Sequence, residues 1–340
     1  MLLAQPRGFC AGVEMAIKAL AWMVQVFEPP VYCYHEIVHN RLVVDRFGKL
    51  GVVFVDDVSD VPPGAPVMLS AHGSAPEVGE KARANGGLVV DAVCPLVTKV
   101  HHELKVRASK GYTVIYVGHR GHDEAVGTMA VAPEAVRLVQ REEDVEALTD
   151  PGTPVALLAQ TTLSHDEWAG IKDKAAARFP ELWMPGRSDL CFATTNRQAA
   201  LKAIAGGADA VVVIGSANSS NTVALEKVAR AAGCPRVLRL NGPDELPADL
   251  AGTVGVTAGA SAPEEVVREV LDRLAPKNGV ELVEVTFEDE YFPPPPEMRD
   301  LARAMTTALC LGLGAPLPGA SPLVEDRSVA ASDVLDALAS

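Results

Sequence analysis

Short apolar runs alternate along the chain with longer stretches in which apolar residues recur at helical spacing. The runs at 31–35, 52–55 and 66–69 are short and mainly apolar or aromatic, with valine in each, which is typical of strands. The intervals between them have a helical pattern and predict helices at 41–48 and 76–84. Short buried strands that alternate with helices are typical of an α/β fold with parallel sheets.

The same alternation continues through residue 287. Further strands are predicted at 112–117, 154–158, 210–214, 254–256 and 281–287, and further helices at 222–232 and 266–274. The proline run at 293–296 should be extended, and residues 301–313 have the pattern of one more helix. Residues 315–340 are rich in proline, alanine and serine, so we expect part of this segment to be disordered.

Three cysteines share one position in this pattern, at a predicted strand-to-helix turn. The apolar run at 88–93 stops at Cys94, and Pro95 then occupies the first helical position, where its fixed φ suits a helix. Cys10 follows the strand 2–4 and precedes a helix at 11–24. Cys191 follows Asp189-Leu190 and precedes a helix at 194–205. Because a helix N-terminus favours a thiolate over a thiol, all three are candidate metal ligands.

The repeated construction divides the chain into similar pieces. We predict α/β domains at 1–94, 95–188 and 189–288, followed by a tail at 289–340. The chain has 340 residues, which is enough for two or three domains with their own cores. A hydrophobic fraction of 48% and a mean hydropathy of +0.15 indicate a compact globular protein.

Charge and hydropathy exclude some classes of partner. The formal net charge of −14 argues against a general nucleic-acid binder. An anionic substrate must therefore be held by a local site, because screening hides charges beyond about 8–10 Å. No apolar run reaches the roughly 18 residues of a membrane helix, and residues 1–8 lack the features of a signal peptide. We expect a cytoplasmic protein with no nucleic-acid and no membrane partner.

The remaining cysteines, Cys33, Cys234 and Cys310, lack this shared context, and we interpret them as small buried apolar residues. The six cysteines are widely spaced and form no C-x-x-C pair, so neither a disulfide scaffold nor a zinc ribbon is predicted. Three separated thiolates, with no fourth cysteine in the same context, suit a cube-shaped iron–sulfur cluster in which one iron stays open to substrate.

Polar side chains follow several predicted strands, at the sheet edge where open α/β folds bind ligands. His39 and His72 lie near strand ends of the first piece, and a glycine-flanked loop with His122 and Glu124 follows the strand at 112–117. Thr161 follows the strand at 154–158 and either caps the next helix or belongs to the site. Zinc ligation by the histidines remains an alternative, although the matching P-C-x-x-C of zinc deaminases is missing.

In the third piece, small polar loops separate strands from helices. Residues 218–221 read Asn-Ser-Ser-Asn, and Ser261 lies in the corresponding loop after the strand at 254–256. Hydroxyls, amides and free backbone N–H groups at a helix start form an anion site, most naturally for phosphate. Helix capping alone needs only one such side chain.

Together these segments resemble the family of 4-hydroxy-3-methylbut-2-enyl diphosphate reductases. The resemblance covers residues 1–288 in order, which chance does not produce. It rests on Pro6-Arg-Gly-Phe-Cys-Ala-Gly-Val13, His35-Glu-Ile-Val-His-Asn40, Ser70-Ala-His-Gly73, Asp91-Ala-Val-Cys-Pro-Leu-Val-Thr-Lys-Val-His101, Gly118-His-Arg-Gly-His122, Gln160-Thr-Thr-Leu-Ser164, Cys191-Phe-Ala-Thr-Thr-Asn-Arg-Gln198, Asn218-Ser-Ser-Asn221 and Val256-Thr-Ala-Gly-Ala-Ser-Ala-Pro263.

The resemblance implies a trefoil-like arrangement of three similar α/β domains around a central cavity. It also implies a [4Fe–4S] cluster with one iron that no cysteine ligates. By motif, the cluster ligands are Cys10, Cys94 and Cys191. Glu124 matches the proton-delivering acid, with Thr161 beside it, and His122 faces the substrate. The positions that hold the diphosphate are His39, His72, Ser219, Ser220, Asn221 and Ser261.

The implied reaction is the last step of the methylerythritol phosphate route to isoprenoids. Two electrons from ferredoxin or flavodoxin remove the allylic hydroxyl as water, and isopentenyl and dimethylallyl diphosphates are the products. Other classes share part of the pattern: a specialised second copy for a related allylic diphosphate, a non-catalytic iron–sulfur sensor, a zinc hydrolase, and a [4Fe–4S] dehydratase that needs no electron donor. A sensor has no need of Glu124 and Thr161 beside a phosphate site.

Overall fold

A computed structural model describes residues 1–314 and 326–339 of the chain as an α/β protein. Its strands are β1 (Leu2–Gln5), β2 (Val31–Tyr34), β3 (Val52–Val55), β4 (Val67–Leu69), β5 (Val89–Asp91), β6 (Thr113–Val117), β7 (Val136–Val139), β8 (Val155–Ala159), β9 (Ala210–Ile214), β10 (Val237–Leu240), β11 (Val254–Ala258) and β12 (Glu281–Glu284).

Helices follow most of these strands. They are α1 (Ala11–Val26), α2 (Arg41–Lys49), α3 (Pro76–Ala84), α4 (Pro95–Ser109), α5 (Asp123–Ala130), α6 (Glu142–Ala147), α7 (His165–Arg178), α8 (Phe192–Ala205), α9 (Ser220–Ala231), α10 (Glu264–Leu274), α11 (Pro296–Leu313) and α12 (Ala331–Ala339). In the described residues, no helix is both long enough and apolar enough to span a membrane.

The strands form three parallel sheets, which confirms the predicted fold class. Their orders are β3-β2-β4-β5, β7-β6-β8 and β10-β9-β11-β1-β12. Strands β8, β9 and β11 are buried along their whole length, as expected for sheets covered on both faces. The sequence pattern missed β7 and β10, which lie at the edges of their sheets and are only partly buried.

The first strand does not belong to the piece in which the sequence places it. Leu3 of β1 pairs with Val256 of β11 on one side and with Leu282 of β12 on the other, so β1 completes the sheet of the third piece. The loop and helix that follow β1 then cross to the first sheet, where Ile17 and Leu20 of α1 are fully buried. The proposed domain at 1–94 therefore shares its first strand with the proposed domain at 189–288.

Two further details differ from the sequence prediction. Residues 189 and 190 form no strand, and Cys191 is instead positioned by its N–H, which donates to Thr161 O at 3.0 Å. Glu124 lies in the first turn of α5 and not in a loop. His122 caps this helix because its Nδ1 accepts the Glu124 N–H at 3.2 Å.

The tail is more ordered than its composition suggests. Helix α11 begins at Pro296, five residues before the predicted start, and Ala331 and Leu335 of α12 are buried against α1. Lys18 of α1 contacts Asp326 at 3.2 Å, and Glu14 Oε2 accepts the Ala331 N–H at 2.6 Å. Residues 326–339 are thus folded against α1, and the expectation of partial disorder stays a prediction for 315–325 and Ser340, which lie outside the described residues.

Candidate active site

One cavity of about 100 Å³ lies where the carboxyl ends of strands from all three sheets meet. The twelve residues that the sequence analysis named as candidate site residues line this cavity, although they follow eight different strands and one loop along the chain. These residues are Cys10, His39, His72, Cys94, His122, Glu124, Thr161, Cys191, Ser219, Ser220, Asn221 and Ser261.

The three cysteines of the cavity are fixed by their own backbone. Each donates its N–H to a carbonyl of a distant segment, so that the position of each thiol depends on the packing of two segments. The acceptors are Ala260 for Cys10, Ala71 for Cys94 and Thr161 for Cys191, at distances of 3.0–3.1 Å. Glycine is required at position 12, because a Cβ there would come within 2.8 Å of Cys94 Sγ.

The thiols are close enough to oppose each other's ionisation. Burial, followed by the charge of Cys10, raises the pKa of Cys191 to about 12, and the same two causes raise the pKa of Cys94. Three thiolates can share this buried space only if a cation compensates their charge. The donor set therefore fits an iron–sulfur cluster, which is bound by deprotonated cysteines.

Glu124 and Thr161 form a buried hydrogen-bonded pair in the cavity wall. The Thr161 N–H donates to Glu124 Oε1 at 2.7 Å, and Thr161 Oγ1 lies 2.9 Å from Glu124 Oε2. The carboxyl group is only 2% exposed, and this burial raises the pKa of Glu124 to about 7 despite both hydrogen bonds. A carboxylic acid with this pKa can hold and release a proton near neutral pH. Thr161 does not cap a helix, because Ser164 caps α7.

The histidines of the cavity form a cluster around Asp123. The rings of His39 and His72 are stacked with centroids 3.7 Å apart, and His122 meets the His39 ring edge-on at 5.2 Å. Asp123 Oδ1 lies 3.0 Å from His35 Nδ1, and its Oδ2 lies 3.9 Å from both His39 Nε2 and His72 Nδ1. Burial opposes ionisation of Asp123, but the hydrogen bond from His35 and the nearby histidine charges hold its pKa at about 2.

Burial disfavours the charged form of an ionisable group, so it acts to raise the pKa of Asp123 but lowers the pKa of two histidines of this cluster. It lowers the pKa of His72 well below its ordinary value and that of His122 to about 4, with the charge of His39 as the next cause. His72 Nδ1 is buried and has no hydrogen-bond partner among the described residues. A buried ring nitrogen without a partner suits a ligand. His39, His72 and Asp123 offer ligand atoms within 4.8 Å of one another, so their geometry alone also allows a metal ion.

Hydroxyl and amide groups from the third sheet form the opposite wall. Ser219 caps α9 through an Oγ that accepts the Thr222 N–H at 3.3 Å, and Ser220 Oγ lies 3.3 Å from His119 Nδ1. Ser261 Oγ donates to His39 O at 3.0 Å, which joins this wall to the histidine cluster. Asn218 is exposed and donates to Glu36, so it lies outside the cavity, unlike the three residues that follow it.

Asn221 holds the site together as well as lining it. Its Nδ2 donates to Thr194 Oγ1 at 3.3 Å, and its Oδ1 accepts the Ala260 N–H at 2.9 Å. Thr194 in turn places its N–H 3.2 Å and its Oγ1 2.9 Å from Cys191 Sγ. Asn221 thus links the diphosphate candidates to the cysteine candidates, and Thr194 is a contact of the thiol that the sequence analysis did not single out.

Sequence reasoning also missed a buried arginine that supports two of the cysteines. Arg197 is 1% exposed, and its guanidinium donates to Gly8 O at 2.8 Å, to Phe9 O at 3.1 Å and to Glu288. It therefore fixes the loop before Cys10 from the helix that begins after Cys191. The signal was available, since Arg197 lies in a quoted motif, but helical spacing alone does not distinguish it from a surface arginine.

Comparisons with known proteins agree with this geometry. Residues 1–275 match the family model described as LytB protein. The 4-hydroxy-3-methylbut-2-enyl diphosphate reductase of Rhodopirellula baltica is 47% identical over 314 residues, which are 91% of this chain and 98% of that protein. Reductase 2 of Mycobacterium bovis is also 47% identical, over 85% of this chain and 90% of its own length.

Solved structures give the same result for the fold. The E-1-hydroxy-2-methyl-but-2-enyl-4-diphosphate reductase from Plasmodium falciparum aligns with a TM-score of 0.87 and 32% identity, covering 90% of this chain and 98% of that one. A second structure, of (E)-4-hydroxy-3-methyl-but-2-enyl diphosphate reductase, the terminal enzyme of the non-mevalonate pathway, aligns with a TM-score of 0.60 and 31% identity, covering 80% and 98%.

Proposed function

The chain belongs to the LytB protein family, and we propose that it converts (E)-4-hydroxy-3-methylbut-2-enyl diphosphate to isopentenyl and dimethylallyl diphosphates. It is an oxidoreductase of the non-mevalonate pathway. One observation carries the proposal: a single cavity combines three thiols, a buried acid with a pKa near 7, and a wall of histidine and hydroxyl donors. Electron transfer, proton delivery and anion binding are the three tasks of this reaction.

We propose that Cys10, Cys94 and Cys191 hold a [4Fe–4S] cluster in which one iron has no cysteine ligand. When bound, such a cluster supplies electrons one at a time and a Lewis-acidic site for the substrate oxygen. The protein contributes the fixed backbone at each thiol, and Thr194 donates to the Cys191 sulfur. Hydrogen bonds to a ligating sulfur are one means by which a protein tunes a cluster.

The diphosphate is proposed to bind between the histidine cluster and the start of α9. Ser219, Ser220 and Ser261 offer hydroxyls there, and the first N–H groups of α9 lie at the positive end of the helix dipole. His122 Nδ1 already accepts the Glu124 N–H, so its proton is on Nε2, which can donate to the substrate. Because burial keeps His122 neutral, this donation is a hydrogen bond and not an ion pair.

Proton delivery is proposed to run from Glu124 through the Thr161 hydroxyl. Thr161 Oγ1 lies 2.9 Å from Glu124 Oε2, so it can pass a proton on to the allylic oxygen as it receives one from the carboxyl group. The reaction takes up two electrons and two protons in total. One proton leaves with the oxygen as water after the carbon–oxygen bond breaks, and the other is added to either end of the allyl group.

The electron donor is proposed to be ferredoxin or flavodoxin, and the protein is proposed to act in the cytoplasm. A specialised second copy for a related allylic diphosphate would keep the same cavity. It can be distinguished from an enzyme for the hydroxymethylbutenyl diphosphate only by comparing turnover of the two substrates. The sensor alternative is disfavoured by the Glu124–Thr161 pair, which a sensor does not require. The zinc alternative has the grouping of His39, His72 and Asp123 in its favour but does not use the three thiols.

The test is anaerobic purification followed by iron, sulfide and zinc analysis and by turnover with reduced methyl viologen. We expect a brown protein with about four iron atoms per chain, the number in a [4Fe–4S] cluster. We also expect conversion of the hydroxymethylbutenyl diphosphate to both products. Zinc without iron, or an intact cluster without turnover of this substrate, would contradict the proposal. Turnover only of another allylic diphosphate would identify a specialised copy.

A further inference from the structure

We propose that the exposed face of α4, together with the adjoining residues 183–188, is the docking surface for a small acidic one-electron carrier protein. The inference rests on the proposed function, because a reductase that takes up two electrons needs a site at which they enter. It goes further by assigning that site to one face of the molecule, here named the α4 face. The members of this face that the argument uses are Pro95, Lys99, His102, Lys105, Met184 and Arg187.

The α4 face borders two of the three thiols. Helix α4 begins directly after Cys94, and Pro95 at its first position is exposed to solvent. One turn later, Lys99 Nζ donates to Asp189 Oδ1 at 3.2 Å and to the carbonyl oxygens of Arg187 and Ser188. Asp189 lies two residues before Cys191, so Lys99 ties together the segments that carry both thiols. Few bonds therefore separate this surface from the proposed cluster.

Residues 183–188 run along α4 in the opposite direction. Near the end of the helix, the Arg107 guanidinium stacks on the Trp183 ring at 3.8 Å, and near its start Lys99 holds the carbonyls of residues 187 and 188. Met184 in this segment is 38% exposed, and Arg187 is also exposed. The result is a basic surface with a small apolar centre. Such a composition suits the small, polar interfaces of transient electron-transfer complexes.

The charge of the α4 face differs in sign from that of the whole chain. The chain carries a net charge of −14, yet the residues from 95 to 110 include Lys99, Lys105, Arg107 and Lys110 against one acid, Glu103. Glu103 is paired with Arg107 at 3.6 Å, and Lys99 is paired with Asp189 at 3.2 Å. The exposed Lys105, Lys110 and Arg187 therefore carry the excess positive charge of this face. The exposed positions of the helix, 95, 98, 102, 105 and 109, contain no carboxylate. A basic surface on an acidic protein steers an acidic partner to one place, while the remaining acidic surface repels that partner.

A second surface near the thiols is acidic, which does not suit an acidic partner. A second cavity, of about 450 Å³, lies beside Phe9, Ala11 and Phe192, which are neighbours of Cys10 and Cys191 in the chain. Six carboxylates line it against four basic side chains, and part of its rim is the folded tail at 327–330. The carboxylates are Glu14, Glu284, Glu288, Asp289, Glu290 and Asp333. An acidic carrier would be repelled here, so the α4 face is the favoured entrance.

The test compares two charge-reversal variants of the holoenzyme. Lys105→Glu combined with Arg187→Glu reverses two exposed charges of the α4 face. Arg273→Glu combined with Lys277→Glu makes the same charge change near the start of β12, at the end of the third sheet away from the cavity. Binding of an acidic ferredoxin is measured by calorimetry at low and high salt. Zero-length carbodiimide cross-links between the ferredoxin and the wild-type enzyme are mapped by mass spectrometry.

We expect the α4 variant to bind ferredoxin at least about tenfold more weakly at low salt, with a smaller salt dependence, because steering by surface charges is lost. The control variant should bind like the wild type, and cross-links should map to Lys99 or Lys105. Turnover with reduced methyl viologen, which needs no docking, should be equal in all three proteins. Unchanged ferredoxin binding in the α4 variant, or cross-links confined to other lysines, would overturn the docking surface. Absence of methyl viologen turnover in the wild type would instead contradict the proposed function.

Discussion

Glu124→Gln tests the proton-delivery step with the least change in structure. The glutamine Oε1 can still accept the Thr161 N–H, and its Nε2 can donate to Thr161 Oγ1, so both hydrogen bonds of the carboxyl group have a replacement. What the variant lacks is a proton to release. We expect an intact cluster and substrate binding close to that of the wild type.

The size of the effect follows from the environment of the carboxyl group. Burial raises the pKa of Glu124 to about 7, so close to half of these groups carry a proton at neutral pH, against well under 1% for an exposed carboxyl with a pKa of 4.5. General acid catalysis contributes a factor of roughly 10²–10⁴, or about 3–5 kcal/mol of activation free energy. Turnover of the glutamine variant should fall by a factor in this range.

The pH dependence gives the prediction a second readout. When protonation limits the rate, wild-type turnover should decrease as the pH rises through about 7, because the protonated fraction of Glu124 decreases. The pKa of Glu124 is about 7 in the folded state and 4.5 in the unfolded state, so the folded state binds more protons between these two pH values. Part of the stability of the folded state is therefore lost as the pH rises from 4.5 to 7. The loss amounts to about 3 kcal/mol of unfolding free energy. Both dependences should disappear in the glutamine variant.

The assay is steady-state turnover at saturating substrate with excess reduced methyl viologen, from pH 5.5 to 8.5. Thermal unfolding of the same samples over this range measures the stability. Glu134→Gln, which neutralises an exposed carboxyl of the same sheet region, is the matched control and should leave both profiles unchanged. Turnover of the Glu124 variant within a factor of three of the wild type would refute the role of Glu124 as proton donor.

Three further predictions test other parts of the site. Serine at any of the three cavity cysteines should abolish the cluster absorbance and the activity. Cys234→Ser keeps a donor to the Ala208 and Arg236 carbonyls and should preserve both. Loss of the cluster only in the Cys234 variant would contradict the assignment of the ligands. Ser219→Ala with Ser220→Ala should weaken diphosphate binding at least about tenfold, measured by calorimetry, because each hydrogen bond to a charged group is worth roughly 1.5–3 kcal/mol; unchanged affinity would reduce these serines to helix caps. Arg197→Met should lower the unfolding free energy by about 3–5 kcal/mol, since it removes the charged partner of Glu288, which keeps only the neutral Asn196 donor among those described, and the donor to two loop carbonyls. A denaturant titration that shows less than 1 kcal/mol would contradict this structural role.

Local pattern was sufficient for most of the elements, and the candidate site residues it indicated share one cavity. Strand β9 is a run of five apolar residues, and Pro95 marks the start of α4. Such signals can be read from the sequence because strand and helix periodicity depend on neighbours a few residues away. Parallel strands bring their carboxyl ends to one edge of a sheet, so the sequence alone predicts that polar residues which follow strands share one site. The motif resemblance supplied the roles of the individual residues.

Other features depend on residues that are far apart in the chain, and periodicity carries no information about them. Strand β1 lies in the third sheet because Leu3 pairs with Val256 and Leu282, some 250 residues or more away in the sequence. The tail folds back on α1 because Lys18 and Glu14 find partners at Asp326 and Ala331. No local signal in the tail distinguishes these contacts from a disordered segment.

The electrostatics of the site were likewise decided by the tertiary structure. The sequence identifies Glu124 as an acid in a motif, but its pKa near 7 results from complete burial against Thr161, which belongs to another strand end. Asp123, the next residue in the chain, has a pKa of about 2 because the fold surrounds it with His35, His39 and His72. Two adjacent carboxyl groups therefore differ by several pKa units, because ionisation depends on solvent access and on nearby charge, and only the packed structure determines both.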